Sequence, residues 1–187
     1  MIQKREGKAV RRLEWKLLSE LMKNSRRSDR DLAKAIGSSQ PTVTRARNRL
    51  EKEGYIREYT VIPDFAKLGF QIMAFTFLSK GKELAPTELE KARKLVRKTL
   101  RETGASTIMV ERGSGLGQDG VIISFHKDYA AYLRFRDDVS QGSYGISFKL
   151  ASFLTGLSED VHYKPLTFST LTKVLLAQEE KEKKEKK

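Results

Sequence analysis

The sequence predicts an α+β fold in which an N-terminal winged helix-turn-helix precedes a C-terminal ferredoxin-like βαββαβ domain. Two helical segments separated by a glycine turn lie within the first sixty residues, which is helix-turn-helix spacing. Beyond residue 70, strand and helix patterns follow the order β-α-β-β-α-β, which is typical of ferredoxin-like domains. A chain of 187 residues accommodates two such small domains.

Positive charge is concentrated in the first third of the chain. The net charge is +13, and residues 1–60 hold 16 lysines and arginines against 8 aspartates and glutamates. A basic excess confined to one domain is the electrostatic pattern of a nucleic-acid-binding protein. The lysine-rich end of the chain adds little, since residues 179–187 carry five lysines and four glutamates. We expect a solvated helix end or a frayed tail there.

Composition also excludes several classes of protein. The chain has no cysteine, which rules out disulfides, thiol catalysis and cysteine-ligated metal sites. Two histidines, His126 and His162, leave little scope for a histidine metal cluster. No apolar run approaches the ~20 residues that span a bilayer, and residues 1–12 lack the apolar core of a secretory signal. We therefore predict a cytoplasmic protein that binds no membrane, needs no cofactor or metal and is not an enzyme.

The first domain is predicted over residues 9–62, after a disordered basic N-terminus at residues 1–8. Its first helix is amphipathic, because apolar side chains recur at helical spacing. Ser28 and Asp31 form the pattern of a capping box at the start of a second, short helix, which Gly37 ends. The apolar residues of that short helix are Leu32, Ala35 and Ile36.

The stretch Ser39–Ile56 predicts a third helix with both ends marked. Ser39 is a favourable N-cap, because its hydroxyl can accept a hydrogen bond from a first-turn amide, and Pro41 is tolerated in that turn. Gly54 is placed to end the helix in a left-handed conformation. The apolar stripe between them is narrow and consists of Val43, Ala46 and Leu50.

The opposite face of the third helix is polar and basic. Such a face suits the major groove of DNA, where arginine reads guanine and asparagine reads adenine. The residues predicted to contact bases are Thr44, Arg45 and Asn48. The residues predicted to contact phosphates or flanking bases are Ser39, Gln40, Arg47, Arg49 and Lys52. The alternative is a surface helix whose basic face is only solvated.

The residues after this helix lead into the second domain. Tyr55–Ile62 alternates and is rich in β-formers, so it is predicted as a short strand or wing. A linker is expected at residues 63–69 and the ferredoxin-like domain at residues 70–156. Residues 157–187 are predicted to form a C-terminal helix and a charged tail.

The second domain is predicted to contain four strands and two helices. The strands are Phe70–Ser79, Ala105–Glu111, Val121–His126 and Tyr144–Leu154. The helices are Thr87–Thr103 and Asp128–Val139. The glycine-rich loop Gly113–Gly120 resembles a dinucleotide-binding fingerprint only superficially, because it lies between two strands rather than before a helix.

The predicted strands are apolar on both faces, which indicates that the sheet is covered twice. In a βαββαβ unit both helices cover one face, so the other face should be polar in a monomer. Residues 72–78 and 121–123 are instead largely apolar. A second copy in an isologous dimer would cover this face. The competing cover is the chain's own C-terminal segment, where Leu171, Val174 and Leu175 form a small stripe.

A resemblance to a known family is carried by residues 31–56. They contain D-L-A-x-x-I-G-x-S followed by T-V-x-R-x-x-x-R-L-E-x-x-G-x-I, which resembles the winged helix of the Lrp/AsnC (leucine-responsive regulatory protein) family of prokaryotic and archaeal transcription regulators. The order of elements extends the resemblance to residues 9–154. The chain departs from the family at Ala46-Arg47, where a basic residue is usually followed by Ile or Val. It also carries about 30 residues after the last strand.

The resemblance implies a sequence-specific, dimeric transcription regulator whose partners are double-stranded DNA and further copies of itself, as a homodimer or a higher oligomer. It also implies an amino-acid effector bound between subunits near Gly115, Gly117 and Asp119. The carboxylate of Asp119 would hold the ammonium group, and backbone amides would hold the carboxylate. The alternative for this segment is a flexible hairpin connection without a ligand.

Two rival functions remain open from the sequence. Siroheme decarboxylases resemble the same two-domain architecture, although the basic third helix and the lack of clustered histidines argue against that enzyme. A general chromatin-type binder would show equal affinity for random and selected DNA. We interpret His126, at the end of the third strand, as a structural or surface histidine rather than a catalyst.

Overall fold

The computed structural model describes residues 10–80, 87, 90–91, 94, 106–141, 148–158, 164 and 166–177. These residues divide into two compact units. The first comprises the described residues up to Ile62 together with residues 166–177, and the second comprises the described residues from Pro63 to Lys164. Among the described residues, no helix has the length and apolar character needed to cross a bilayer.

Three helices form the first unit. They are α1 (Arg12–Lys23), α2 (Asp29–Ile36) and α3 (Gln40–Lys52). Each turns an apolar stripe toward the other two, as the spacing predicts. The side chains of this core are buried, and they are Leu17, Leu21, Leu32, Ala33, Val43, Ala46 and Leu50.

The predicted helix boundaries are confirmed at α2, and one cap differs at α3. The hydroxyl of Ser28 accepts a hydrogen bond from the Asp31 amide at 3.2 Å. Gly37 adopts φ +68°, a left-handed conformation that glycine takes without the Cβ clash of other residues, and so turns the chain into α3. Ser39 is the N-cap of α3 but caps no amide. Its hydroxyl instead lies 2.8 Å from that of Thr42, so the predicted Ser39 cap bond is wrong.

The strand or wing predicted at Tyr55–Ile62 is not formed. Gly54 ends α3 with φ +75°, and residues 57–64 are then neither helix nor strand. A strand needs a hydrogen-bonded neighbour, and the described part of the chain supplies none for this segment. The segment with this β-forming composition is therefore an irregular and largely exposed connection.

The second unit contains a four-stranded antiparallel sheet of order β2-β3-β1-β4. The strands are β1 (Ile72–Lys80), β2 (Thr107–Gly115), β3 (Gln118–His126) and β4 (Phe148–Gly156), and the helix α4 (Tyr129–Ser140) follows β3. The ferredoxin-like prediction is confirmed. The predicted helix Thr87–Thr103 lies mostly outside the described residues. The four positions of this range that are described, 87, 90, 91 and 94, are helical. The first part of the strand predicted at Tyr144–Leu154 also lies outside them.

The predicted loop Gly113–Gly120 is wrong, because β2 and β3 continue through it. Gly115 pairs with Gln118, which leaves a two-residue turn. Leu116 (φ +53°) and Gly117 (φ +69°) both have positive φ, as a type I′ hairpin turn requires. The glycines of this segment therefore permit a tight hairpin instead of an irregular loop.

One face of the sheet is packed against α4, whereas the opposite face carries exposed apolar side chains. On one face α4 and the strands enclose a core of Leu78, Val110, Ile122, Phe135, Val139, Phe148 and Leu150. The opposite face carries Phe75, which pairs in register with Ile123 and Phe153. Phe153 is 64% exposed and Met109, which pairs with Ile123, is 37% exposed. We call the surface formed by Phe75, Met109, Ile123 and Phe153 the open face.

One end of the open face is covered by the residues that lead into β1. The Phe65 ring stacks on Phe125 at 4.0 Å between centroids, and Phe70 meets Phe125 edge-on at 6.3 Å. The C-terminal segment, which the sequence suggests as a competing cover, belongs to the first unit in its described residues 166–177. Its short 3-10 turn Ser169–Leu171 contacts α1 and belongs to the first unit.

His126 is a buried residue that packs against aromatic side chains. It is 3% exposed, its Nε2 lies 2.8 Å from the Ser124 hydroxyl, and its ring contacts Tyr132 and Phe135. Burial lowers the pKa of His126, because a charged imidazolium loses hydration there. The histidine therefore stays neutral and packs between the sheet and α4.

Candidate nucleic-acid interface

The helix α3 is held by a narrow seam and exposes the rest of its circumference. Val43, Ala46 and Leu50 are 0%, 7% and 1% exposed. The opposite side shows Arg45, Asn48 and Lys52, whose side chains are exposed and make no hydrogen bond or ion pair within the described part of the chain. Donors that are unpaired and point away from the core can meet an external anion or base edge.

The first turn of α3 adds further exposed groups. Gln40 and Pro41 are exposed, and the Ser39 hydroxyl is engaged only with Thr42. Because the first amides of a helix lack intrahelical partners and the helix dipole is positive there, this end favours a phosphate. The predicted contacts Ser39 and Gln40 therefore lie where a phosphate could approach.

Two of the predicted DNA contacts have intramolecular partners on α2. The Thr44 hydroxyl donates to Asp29 Oδ2 at 2.6 Å, and Arg47 Nη2 pairs with Asp29 Oδ1 at 2.7 Å. The Arg47 guanidinium also lies 5.8 Å from the centre of the Tyr59 ring. Sequence reasoning missed Asp29 and Tyr59, since neither position stands out in a local pattern.

Arg49 also points inward. Its Nη1 lies 2.7 and 2.9 Å from the two carboxylate oxygens of Glu14, and its Nε lies 2.9 Å from Glu53. Glu14 is 2% exposed and also accepts a hydrogen bond from the Arg11 amide at 2.7 Å. These contacts favour a role for Arg49 in fixing α3 to α1, and as a phosphate contact it would have to exchange them.

A signal for Glu14 was present in the sequence. Glu14, Leu17 and Leu21 recur at spacings of three and four on one face of α1, so a carboxylate interrupts an apolar stripe. A charged group in such a position is rarely buried unless it is paired. The partner lies 35 residues away and could not be read from local spacing.

The predicted effector residues lie together on the β2–β3 hairpin. Gly115 ends β2, Gly117 is in the turn and Asp119 is on β3. Asp119 already has a partner in the structure. Within the described ranges there is no group of three or more acidic or histidine side chains arranged to hold a metal ion.

Comparison with known proteins agrees with the geometry of the first unit. A family model described as winged helix-turn-helix DNA-binding matches residues 10–57. The chain is 35% identical over 69 residues to an uncharacterized HTH-type transcriptional regulator of Pyrococcus horikoshii, covering 37% of this chain and 47% of that protein. It is 34% identical over 98 residues to the leucine-responsive regulatory protein of Escherichia coli (strain K12), covering 51% and 57%. The match thus spans about half the length of these curated relatives.

Solved structures extend the similarity of fold to both units. An AsnC family transcriptional regulator from Agrobacterium tumefaciens has a TM-score of 0.67 at 21% identity, covering 84% of this chain and 94% of that chain. A transcriptional regulator from Neisseria meningitidis, solved as an L-Met complex, has a TM-score of 0.69 at 19% identity, covering 86% and 96%. Most of the described chain therefore shares their two-domain fold.

The first unit matches a DNA-binding helix-turn-helix family model over residues 10–57, and the second unit contains a ferredoxin-like sheet. The sequence relatives and the solved structures of the same fold are named as transcriptional regulators, among them a leucine-responsive regulatory protein and an AsnC family regulator. The chain is therefore similar to Lrp/AsnC transcriptional regulators, as its sequence predicts.

The pairing of Arg49 with Glu14 predicts a difference between two arginines of the same helix. Arg49→Met should lower the melting temperature of the protein by several degrees, because it leaves the Glu14 carboxylate buried without its guanidinium. Arg45→Met, the matched control at an exposed position, should leave it near that of the parent. Thermal unfolding followed by circular dichroism measures both.

A double variant separates charge from packing in this test. Glu14→Met with Arg49→Met should be more stable than Arg49→Met alone, because no uncompensated charge then remains buried. Equal melting temperatures for Arg49→Met and Arg45→Met would show that the pair does not fix α3.

Proposed function

We propose that the protein is a cytoplasmic, sequence-specific DNA-binding transcription regulator rather than an enzyme. The main observation behind the proposal is the exposed side of α3. The side chains of Arg45, Asn48 and Lys52 are exposed there, opposite the residues that pack into the helical core. The net charge of residues 1–60 supports it, because cations near DNA release condensed counterions from the phosphates. The DNA-binding family model over residues 10–57 supports it as well.

Within this proposal the exposed side chains divide by chemistry. Arg45 and Asn48 would read base edges in the major groove, since guanidinium and amide groups form bidentate pairs with guanine and adenine. Lys52, Gln40 and Ser39 would meet the backbone and set the position of the helix. In a dimer, two copies of α3 would enter successive major grooves about one helical turn apart.

Replacement of the base-reading residues should relax sequence preference. Arg45→Ala and Asn48→Ala should each cost about 1–3 kcal/mol of discrimination between a selected site and random DNA. Lys52→Ala should weaken both kinds of DNA alike and lower the salt slope by about 0.9. The site is first selected from random DNA at fixed salt, and affinities are then measured by fluorescence anisotropy.

The same measurements decide among the rival functions. Equal affinity of the parent for selected and random DNA would favour a general chromatin-type binder. Unchanged preference in both alanine variants would contradict the assignment of Arg45 and Asn48. A porphyrin absorbance band on the purified protein, without DNA binding, would favour a siroheme-decarboxylase-like enzyme.

We propose further that the open face forms a homodimer interface. Phe153 leaves 64% of its surface exposed beside Phe75, Met109 and Ile123, and contiguous exposed apolar patches mark interaction sites. An isologous dimer pairs each patch with its own copy. A charge at its centre would then be placed opposite itself.

Phe153→Asp should convert the protein to a monomer at micromolar concentration, because two carboxylates would be buried across the two-fold axis. Tyr129→Asp is the control, since Tyr129 is 56% exposed and begins the helix that covers the other face. Sedimentation velocity measures the mass. A dimer that survives Phe153→Asp, or one that Tyr129→Asp also breaks, would argue against this interface.

The hairpin of Gly115, Gly117 and Asp119 is proposed as part of an amino-acid site. The Neisseria meningitidis regulator of the same fold was solved with L-Met, which supports a ligand of this class. Exposed backbone amides at a turn with positive φ can hold a carboxylate, and Asp119 can pair with an ammonium.

Calorimetric titration of the full chain with each amino acid should show heat with at least one, L-methionine being the first to test. Asp119→Asn should abolish that heat, because the ammonium loses its counter-charge. Glu111→Gln, which neutralises an exposed carboxylate of the same hairpin, should retain it. No heat with any amino acid would remove the effector site from the proposal.

A further inference from the structure

The carboxylate of Asp29 binds the side chains of two residues of α3. Asp29 accepts the Thr44 hydroxyl with Oδ2 and pairs with the Arg47 guanidinium through Oδ1, at 2.6 and 2.7 Å. The side chains of Arg47 and Asp29 are 19% and 21% exposed. The pair therefore lies at the edge of the protein, neither sealed in the core nor free in solvent.

The guanidinium of Arg47 also contacts the ring of Tyr59. Its carbon lies 5.8 Å from the centre of the Tyr59 ring, where the ring quadrupole attracts a cation. The Tyr59 hydroxyl donates to Glu51 at 2.7 Å. Partial burial together with this carboxylate raises the pKa of Tyr59 to about 12, so the phenol remains a neutral donor and the ring keeps its place at physiological pH.

Arg47 keeps unused donor capacity in this position. Its Nε is buried and has no hydrogen-bond partner among the described residues, and its second contact, to the Arg27 carbonyl, is long at 3.4 Å. A guanidinium has five N–H donors. It would gain by turning toward a phosphate, and what opposes that turn is the charge of Asp29.

Resting on the proposed DNA-binding function, we propose that Asp29 is a positioning residue that limits the affinity of the protein for the DNA backbone. By holding Arg47 over Tyr59, the carboxylate keeps this guanidinium off the DNA backbone. A phosphate contact strengthens binding to every sequence alike, so it raises the affinity for random DNA and leaves the ratio of specific to non-specific affinity unchanged. Asp29 thereby limits the sequence-independent part of the affinity, while Arg45 and Asn48 set the preference among sequences.

Asp29→Asn tests the proposal, because the amide keeps the shape of the side chain and removes the charge that holds Arg47. The variant should bind random and selected duplex DNA more tightly by a similar factor and keep its preference for the selected site. One additional phosphate contact should steepen the plot of log K against log salt by about 0.9. Between 50 and 200 mM salt that slope corresponds to an additional loss of affinity of about 3–4-fold.

Two controls separate the release of Arg47 from a general change of charge. Glu58→Gln removes the same charge from an exposed position of the first unit and should tighten binding slightly without changing the slope by a full contact. The double variant Asp29→Asn with Arg47→Met should return to the parental slope. Circular dichroism of each variant confirms that the folded state is compared.

Arg47→Met in the parental background provides an independent measurement should Asp29→Asn not fold. It should leave the salt slope unchanged, because Arg47 makes no phosphate contact while Asp29 holds it. A drop of about 0.9 in the slope of this variant would overturn the proposal, as would equal slopes for Asp29→Asn and Glu58→Gln. A parent chain that binds no DNA would instead overturn the proposed function, and this inference with it.

Discussion

A helix that presents polar side chains to DNA can bury only a small part of its own surface, and this constraint governs the first unit. Three side chains, Val43, Ala46 and Leu50, anchor a helix of 13 residues. Each fully buried large aliphatic side chain contributes about 1.5–3 kcal/mol, so the seam alone resists rotation of α3 weakly. The orientation of α3 must therefore depend on contacts outside the apolar core, and these are made by charged groups.

The acidic residues of the first unit act mainly inward. Glu14 binds Arg49 from α1, Asp29 binds Arg47 from α2, and Glu51 fixes Tyr59. Glu14 and Asp29 lie on the neighbouring helices α1 and α2, and Glu51 is an exposed residue of α3 itself, whereas Arg45 and Lys52 make no hydrogen bond or ion pair within the described part of the chain. Because Glu14 and Asp29 pair with Arg49 and Arg47, the positive charge of Arg45 and Lys52 is left exposed to solvent. The same arrangement makes Arg47 and Arg49 parts of the scaffold, although in sequence they look like further DNA contacts.

Local rules predicted the elements that depend on local physics. Spacing and caps predicted the presence and order of α1, α2 and α3, and the order of apolar strands predicted the ferredoxin-like sheet. The wrong predictions of strand and loop concern segments whose structure depends on a neighbouring strand. The segment after Gly54 has strand composition but no neighbouring strand, and Gly113–Gly120 has loop composition but lies between two strands that continue into a hairpin. The ion pairs of Glu14 and Asp29 could not be predicted from local spacing, because their partners lie 35 and 15 to 18 residues away.

Under the proposed function, sequence specificity depends on both units. A single α3 offers two exposed side chains that are proposed to read bases, and a good bidentate pair discriminates by about 1–3 kcal/mol. Specific binding commonly exceeds non-specific binding by about 4–10 kcal/mol, which one helix reaches barely or not at all. Two copies double the number of base contacts without enlarging either interface, and a two-fold axis matches them to the two halves of a pseudo-palindromic site. In the proposed dimer, Phe153 would be as important to sequence recognition as Arg45, because the open face would bring the second copy of α3 to the DNA.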